Sequence, residues 1–278
     1  MTEVDRLWAD PFAFYARSGL GLFRWDGLDV DPTPAWRGTA IHEVLKRWLK
    51  AGVWTDDALE SLASDLLNES GVNPVVRVLW KPRLLAPLMW AAQQVRVGKE
   101  EGREPILSAT EVRGAMTIGP ITLSGVPDRI DRLADGRLAV VDYKTGSGPK
   151  AAAVAAGYAS QLGLLGLMAE DGAFTGQPES VSRFEYWRMN KKSGQFGRVE
   201  TPFPARKKDA EHTLDESNFV AFARERLSGA IALWLEGEEP FTARIKPEYT
   251  VGADYDQLMR LEEWFGHEQS ADDEGAAP

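Results

Sequence analysis

Gly125-Val126-Pro127-Asp128-Arg129-Ile130-Asp131 and, one hairpin turn later, Val140-Val141-Asp142-Tyr143-Lys144-Thr145-Gly146 decide the reading of this chain. Alternation along a strand puts Asp142 and Lys144 on one face. Whether Asp128 joins them depends on the turn Ala134-Asp135-Gly136. A three-residue loop with Gly136 in the left-handed position sets Leu133 against Arg137 and Asp128 against Asp142, so both carboxylates share a face. A two-residue Asp135-Gly136 turn would slip the pairing by one and send Asp128 to the other side. Carboxylate oxygens suit a hard divalent cation, and a lysine beside them can stabilise charge or orient water. That is the arrangement of metal-assisted phosphodiester hydrolysis. A surface hairpin with solvated charges would account for any single Asp, but not for the whole spacing.

Composition is compatible with an enzyme domain. The 278 residues can bury a large core. No apolar run approaches the roughly 18 residues of a membrane span, and Met1-Thr2-Glu3 does not open a signal peptide, so no membrane partner is expected. The chain has no cysteine, which removes disulfides, zinc–thiolate sites and an iron–sulfur cluster together. A net charge of −10 argues against a protein that coats DNA, although affinity for phosphates depends on local patches. Arg183, Arg188, Lys191, Lys192 and Arg198 form such a patch, interleaved with Phe184, Tyr186, Trp187 and Phe196, and Arg206, Lys207 and Lys208 follow. These can guide a single strand through phosphate contacts and stacking, with Arg188, Lys191 and Lys192 as the DNA-binding candidates. A solvated strand pair is the equal alternative.

Gly-x-x-Asp-Arg-Ile-Asp followed by Asp-Tyr-Lys-Thr-Gly resembles the RecB-type branch of the PD-(D/E)xK nucleases. That branch carries a helical histidine after a glycine and a glutamine on the helix beyond the lysine strand. Arg37-Gly38-Thr39-Ala40-Ile41-His42 and Tyr158-Ala159-Ser160-Gln161-Leu162 match them in order. The opening Val4-Asp5-Arg6-Leu7-Trp8-Ala9-Asp10-Pro11-Phe12 and the closing Asp254-Tyr255-Asp256-Gln257-Leu258 are similar to the ends of the nuclease domain of AddB-type helicase–nuclease proteins. The likeness covers nearly the whole chain and implies an excised or separately encoded C-terminal nuclease domain.

The resemblance implies an α/β fold with a restriction-endonuclease-like core, a mixed central sheet flanked by helices. It makes Asp128, Asp142, Lys144 and Gln161 catalytic, and gives His42, Asp128, Asp142 and the Tyr143 backbone carbonyl as metal ligands. The metal would be Mg2+, with Mn2+ possible, acting on single-stranded DNA ends beside an AddA-type helicase partner in the bacterial cytoplasm. By itself a lone helical histidine such as His42 is more often structural. Glu111 reads equally as an outer carboxylate of the site or as a strand-edge ion pair with Arg113. Asp131 and Arg129 alternate away from Asp128 and are expected to form charge pairs. Relatives often have tyrosine four residues after the glutamine; Leu165 stands here. Some also staple the domain with four cysteines. Without them, Leu7, Trp8, Phe12 and Phe14 are expected to hold the N-terminal arm to the C-terminal end.

Periodicity predicts helices at about 3–17, 34–51 with Thr33 as cap and Pro34 at the first position, 55–70, 73–101 broken or kinked near Pro82 and Pro87, 149–170, 209–236 and 255–267. Strands are predicted at 106–116, 121–133, 138–143, 180–189 and 196–202, the first three as a meander. One nuclease domain is expected over 1–267, with helices over 33–105, a catalytic core over 106–202, C-terminal helices over 203–267 and a disordered acidic tail over 268–278. The function expected is a metal-dependent DNA exonuclease of double-strand break processing and recombination. The alternatives are a non-catalytic docking and DNA-guiding module, and a self-standing RecB-like exonuclease, a kind that usually carries clustered cysteines. Trp8, Trp25, Trp36 and Trp54 are candidates for an exposed partner surface, although core packing is the commoner fate of each.

Overall fold

A computed structural model describes residues 2–23, 34–69, 74–204, 214–250 and 254–260. The helices are α1 (Thr2–Ala9), α2 (Pro11–Phe14), α3 (Pro34–Ala51), α4 (Asp56–Glu69) and α5 (Pro74–Glu100). Then come strands β1 (Glu104–Pro105), β2 (Gly114–Ile118), β3 (Ile121–Gly125), β4 (Arg129–Arg132) and β5 (Leu138–Lys144), helices α6 (Ala151–Ala155) and α7 (Gln161–Glu170), strands β6 (Val181–Lys192) and β7 (Gln195–Glu200), and helix α8 (Phe219–Ala230). The chain divides into two compact units, one over residues 28–228 and one joining residues 2–27 to 229–278.

The larger unit carries a five-stranded sheet in the order β1-β4-β5-β6-β7. Only β5 and β6 run parallel; the other neighbours are antiparallel. β5 is buried along nearly its whole length, as a central strand covered on both faces should be. α3 explains one layer. Ile41, Val44, Leu45, Trp48 and Leu49 recur at helical spacing, and all are buried against α4, α5 and the sheet residues Val141, Tyr143, Trp187 and Met189. On the other side α7, apolar all round, meets β5 and β6, and Phe219 of α8 stands edge-on to Phe184 at 5.0 Å. The fold is thus the expected mixed sheet between helices.

Several elements differ from the sequence reading, each for a local reason. Residues 106–113 turn instead of extending, so the strand predicted at 106–116 shrinks to β2, which pairs with β3 in a separate two-stranded sheet. The long strand at 121–133 breaks into β3 and β4 around Pro127, which has no N–H to give a ladder. The predicted meander is therefore split between two sheets. The helix at 149–170 breaks into α6 and α7 at Gly157, whose φ of +78° no helix accommodates. α5 runs without interruption through Pro82 and Pro87. The N-terminal helix stops at Ala9, before Asp10 and Pro11. Of the helix predicted at 209–236, residues 214–218 are not helical and α8 starts at Phe219; residues 254–260 form turns, and 209–213 and 261–267 lie outside the described residues. Thr33, Trp25, Arg206 to Lys208 and the acidic tail lie outside the described residues.

Under the α3–α5 side of the sheet lies a buried charge network. Arg103 donates to Asp131 at 2.5 Å and with both terminal nitrogens to Glu185 at 2.9 Å. Arg129 donates to Asp131 at 2.9 Å and lies 4.0 Å above the Trp187 ring, whose indole N–H donates to Glu185. Two guanidiniums balance two carboxylates. Burial opposes ionisation of Glu185, but its bonds to Arg103 hold it below the usual carboxylate range. Asp131 and Arg129 thus pair, as their alternation required.

In the smaller unit Leu7, Trp8 and Phe14 pack with Ala230, Trp234 and Phe241. Phe12 N–H donates to the Thr242 carbonyl at 3.2 Å and Lys246 N–H to that of Ala9 at 3.1 Å. Apolar packing and backbone bonds join the two ends of the chain where no cysteine can.

Candidate active site

The hairpin register follows the three-residue loop. Leu133 N–H donates to the Arg137 carbonyl at 2.8 Å, and β4 pairs with β5 from Arg132↔Leu138 to Arg129↔Val141. One step further, where the ladder has ended, Asp128 accepts the Tyr143 N–H with Oδ2 at 2.6 Å. Its other oxygen lies 3.1 Å from His42 Nδ1. His42 reaches this point from α3, one residue past the buried Ile41. Close approach of that helix is possible because residue 38 is glycine: a Cβ there would stand 3.1 Å from Thr145 Oγ1.

His42 Nε2 lies 3.1 Å from the Tyr143 carbonyl, and Glu111 Oε1 lies 3.8 Å from Nδ1. Acceptors on both sides of one imidazole favour its doubly protonated form. Burial alone would lower the His42 pKa, but the hydrogen bonds and charges of Asp128 and Glu111 raise it to about 10. On β5, Asp142 is buried at 2 % exposure, with the Lys144 ammonium 2.7 Å from its Oδ2. Desolvation first, and then the charge of Asp128, push the Asp142 carboxyl up to about 6 against the pull of Lys144. Lys144 also donates to Gln161 Oε1 at 3.3 Å. The break at Gly157 makes Gln161 the first residue of α7 and sets it beside that lysine.

Among the described residues, His42, Glu111 and Asp128 offer donor atoms all within 4.8 Å of one another. An imidazole and two carboxylates, with the Asp142 carboxylate beside them, are the donor set of a divalent cation. The group closes on Glu111 where the ligand set read from the sequence had Asp142. Glu111 arrives there because residues 106–113 turn. Its φ is +52°, in the left-handed region, and its N–H donates to the Pro127 carbonyl at 3.0 Å. Nothing in the sequence signals that conformation.

Part of the basic strip is spent on structure. Arg188 is buried and donates to the carbonyls of Ser147 and Pro149 at 2.5 and 2.6 Å and to Glu200 at 2.9 Å. It braces the loop after Lys144 and is not offered to DNA, which corrects the sequence reading. Phe184, Tyr186 and Trp187 are core residues, so they offer no stacking platform. Lys191 and Lys192 at the end of β6 are exposed. Trp36 and Trp54 pack against the helical core.

Both shifted groups titrate in the same sense. A group whose pKa is raised on folding stabilises the fold most below its unfolded value and loses that contribution as pH climbs through the folded one. In EDTA the melting temperature is therefore expected to fall between pH 6.5 and about 10 through His42, following an earlier loss through Asp142 between 3.8 and about 6. Mn2+ or Mg2+ at ~100-fold above its dissociation constant should add about 2.7 kcal/mol. The gain should grow as pH rises, since a cation competes with protons for these donors. Thermal melts of wild type and Asp128→Ala check this. An ion-independent melting temperature would count against the site.

Fold and site together define a class. A model of the PD-(D/E)XK nuclease superfamily matches residues 1–246, and the chain belongs to that superfamily. PD-(D/E)XK nucleases usually use divalent metals. The chain is 25% identical over 186 residues to an uncharacterised protein of Rickettsia conorii, covering 63% of this chain and 22% of that one. It is 24% identical over 160 residues to an ATP-dependent helicase/deoxyribonuclease component of Streptococcus agalactiae, 52% of this chain and 14% of that one. The chain thus spans about a fifth or less of the length of these curated relatives. No helix among the described residues is long and apolar enough to cross a membrane.

Proposed function

We propose that this chain is a metal-dependent deoxyribonuclease that hydrolyses DNA from single-stranded ends supplied by an AddA-type helicase, in double-strand break processing and recombination. The observation that carries the reading is the convergence of His42, Glu111 and Asp128 within 4.8 Å, beside Asp142 and Lys144. The name of the streptococcal relative supports the helicase partnership.

A divalent cation, Mg2+ with Mn2+ able to replace it, would supply Lewis acidity toward the scissile phosphate when held there. His42, Glu111 and Asp128 would be its protein ligands, joined by Asp142 once that carboxyl is deprotonated and by the Tyr143 carbonyl. The chain's own groups do the rest. Asp128 is fixed by the Tyr143 N–H, and His42 by the rigid face of α3, so the donors are set before substrate arrives. Lys144, pinned between Asp142 and Gln161, points an ammonium at the place where charge grows on the phosphate oxygens, or orients the attacking water. Lys191 and Lys192 would meet the backbone of the strand.

The test is incubation of the purified protein with end-labelled single-stranded DNA in Mg2+, Mn2+ or EDTA, and of linear duplex with and without the helicase and ATP. Cleavage of the single strand only with metal, and faster duplex degradation with the helicase, are expected. Equal duplex rates with and without it would favour a self-standing exonuclease.

A further inference from the structure

The larger unit contains a polar cavity, of about 620 Å³, at the opposite end of β5 from Lys144. It opens where Leu138 of β5 pairs with Val181 of β6. At roughly 3.3 Å per residue, the seven residues of β5 put about 20 Å between this end and the cluster described above. Three guanidiniums line the cavity: Arg137 from the hairpin, Arg183 from β6 and Arg224 from α8. Arg137 is already paired with Asp135 at 2.8 Å. The charge of Arg183 also acts on Asp135, while Arg224 has no ion pair among the described residues. The Ser182 hydroxyl, also lining the cavity, is buried without a hydrogen-bond partner among those residues. A buried hydroxyl is normally satisfied, and three guanidiniums around one hollow concentrate positive charge on a chain of net charge −10.

The lining also narrows the ligand. Guanidiniums suit the oxygens of a phosphate. Glu170, whose carboxylate accepts the Val181 N–H at 3.3 Å, and the exposed Glu216 would repel a long polyanion. Both can accept hydrogen bonds from sugar hydroxyls. The volume is far larger than a bare phosphate requires and lies in the range of small-molecule sites. We propose that this cavity binds a nucleoside monophosphate, with its phosphate on Arg183 and Arg224 and its sugar hydroxyls toward the two glutamates. It is separate from the metal-ligand cluster and does not depend on the nuclease reading.

The probe is AMP, titrated calorimetrically into the full chain in EDTA, with adenosine and inorganic phosphate as separate titrants. AMP should bind saturably and both fragments at least about tenfold more weakly, since each lacks half of the contacts. Arg183→Ala with Arg224→Ala should weaken AMP by about 10–100-fold, two charge-assisted contacts being lost at exposed positions. Arg224→Glu alone should reproduce the loss with an unchanged melting temperature. Asp142→Asn should leave AMP binding intact. Absence of saturable AMP binding, undiminished binding in the double variant, or loss of binding in Asp142→Asn would each overturn the assignment.

Discussion

Lys144→Ala and, separately, Asp142→Ala are expected to lower the rate of DNA cleavage by at least about 10²–10³-fold, the usual cost of removing one group aimed at developing charge. The cause is local. Lys144 is held at 2.7 Å from Asp142 and 3.3 Å from Gln161. Truncating it removes the ammonium beside the carboxylates and leaves the β5 backbone as it was. Asp142 is a buried carboxyl whose ionisation is opposed by desolvation and by Asp128. Its removal should therefore leave the metal-free melting temperature unchanged or raised while cleavage is lost. Single-turnover cleavage of a labelled strand, with melts in EDTA alongside, separates the two effects. Wild-type rates in both variants would show that the nuclease reading is wrong.

Arg129→Ala should have the opposite profile, with the fold suffering first. Arg129 is about 1 % exposed, donates to Asp131 and covers the Trp187 ring. Removing it leaves Asp131, also 1 % exposed, with Arg103 as its remaining cation, and leaves a void over an indole. Breaking a buried ion pair by deleting one partner costs about 3–5 kcal/mol. Arg137→Ala, whose pair with Asp135 is solvent-exposed, should cost far less. Urea unfolding of the two variants makes the comparison, and similar losses would mean that the network contributes nothing beyond surface pairing.

How far the sequence could be read follows from which interactions were local. The register of Asp128 against Asp142 came from one turn, since a three-residue loop leaves a single pairing that shares the face. The stripe on α3 carried its own period, and His42 fell beside it. Gln161 was found through motif order alone, because the break at Gly157 was read as continuous helix. Glu111 was left undecided: its place depends on a left-handed turn stabilised by the Pro127 carbonyl, a contact between segments 16 residues apart. Arg188 misled for a related reason. A basic residue in a charged strand looks solvated until the loop 146–149 is seen to fold its carbonyls over it. Local periodicity and turn chemistry survive translation into structure; the fate of a long charged side chain depends on what folds against it.

The central claim is that His42, Glu111 and Asp128, with Asp142 beside them, form one cation site. Anomalous scattering from crystals grown with Mn2+ tests it most directly. One peak is expected in contact with His42 and Asp128, absent from crystals of Asp128→Ala. No peak there at saturating Mn2+, or a peak that survives the substitution, would contradict it.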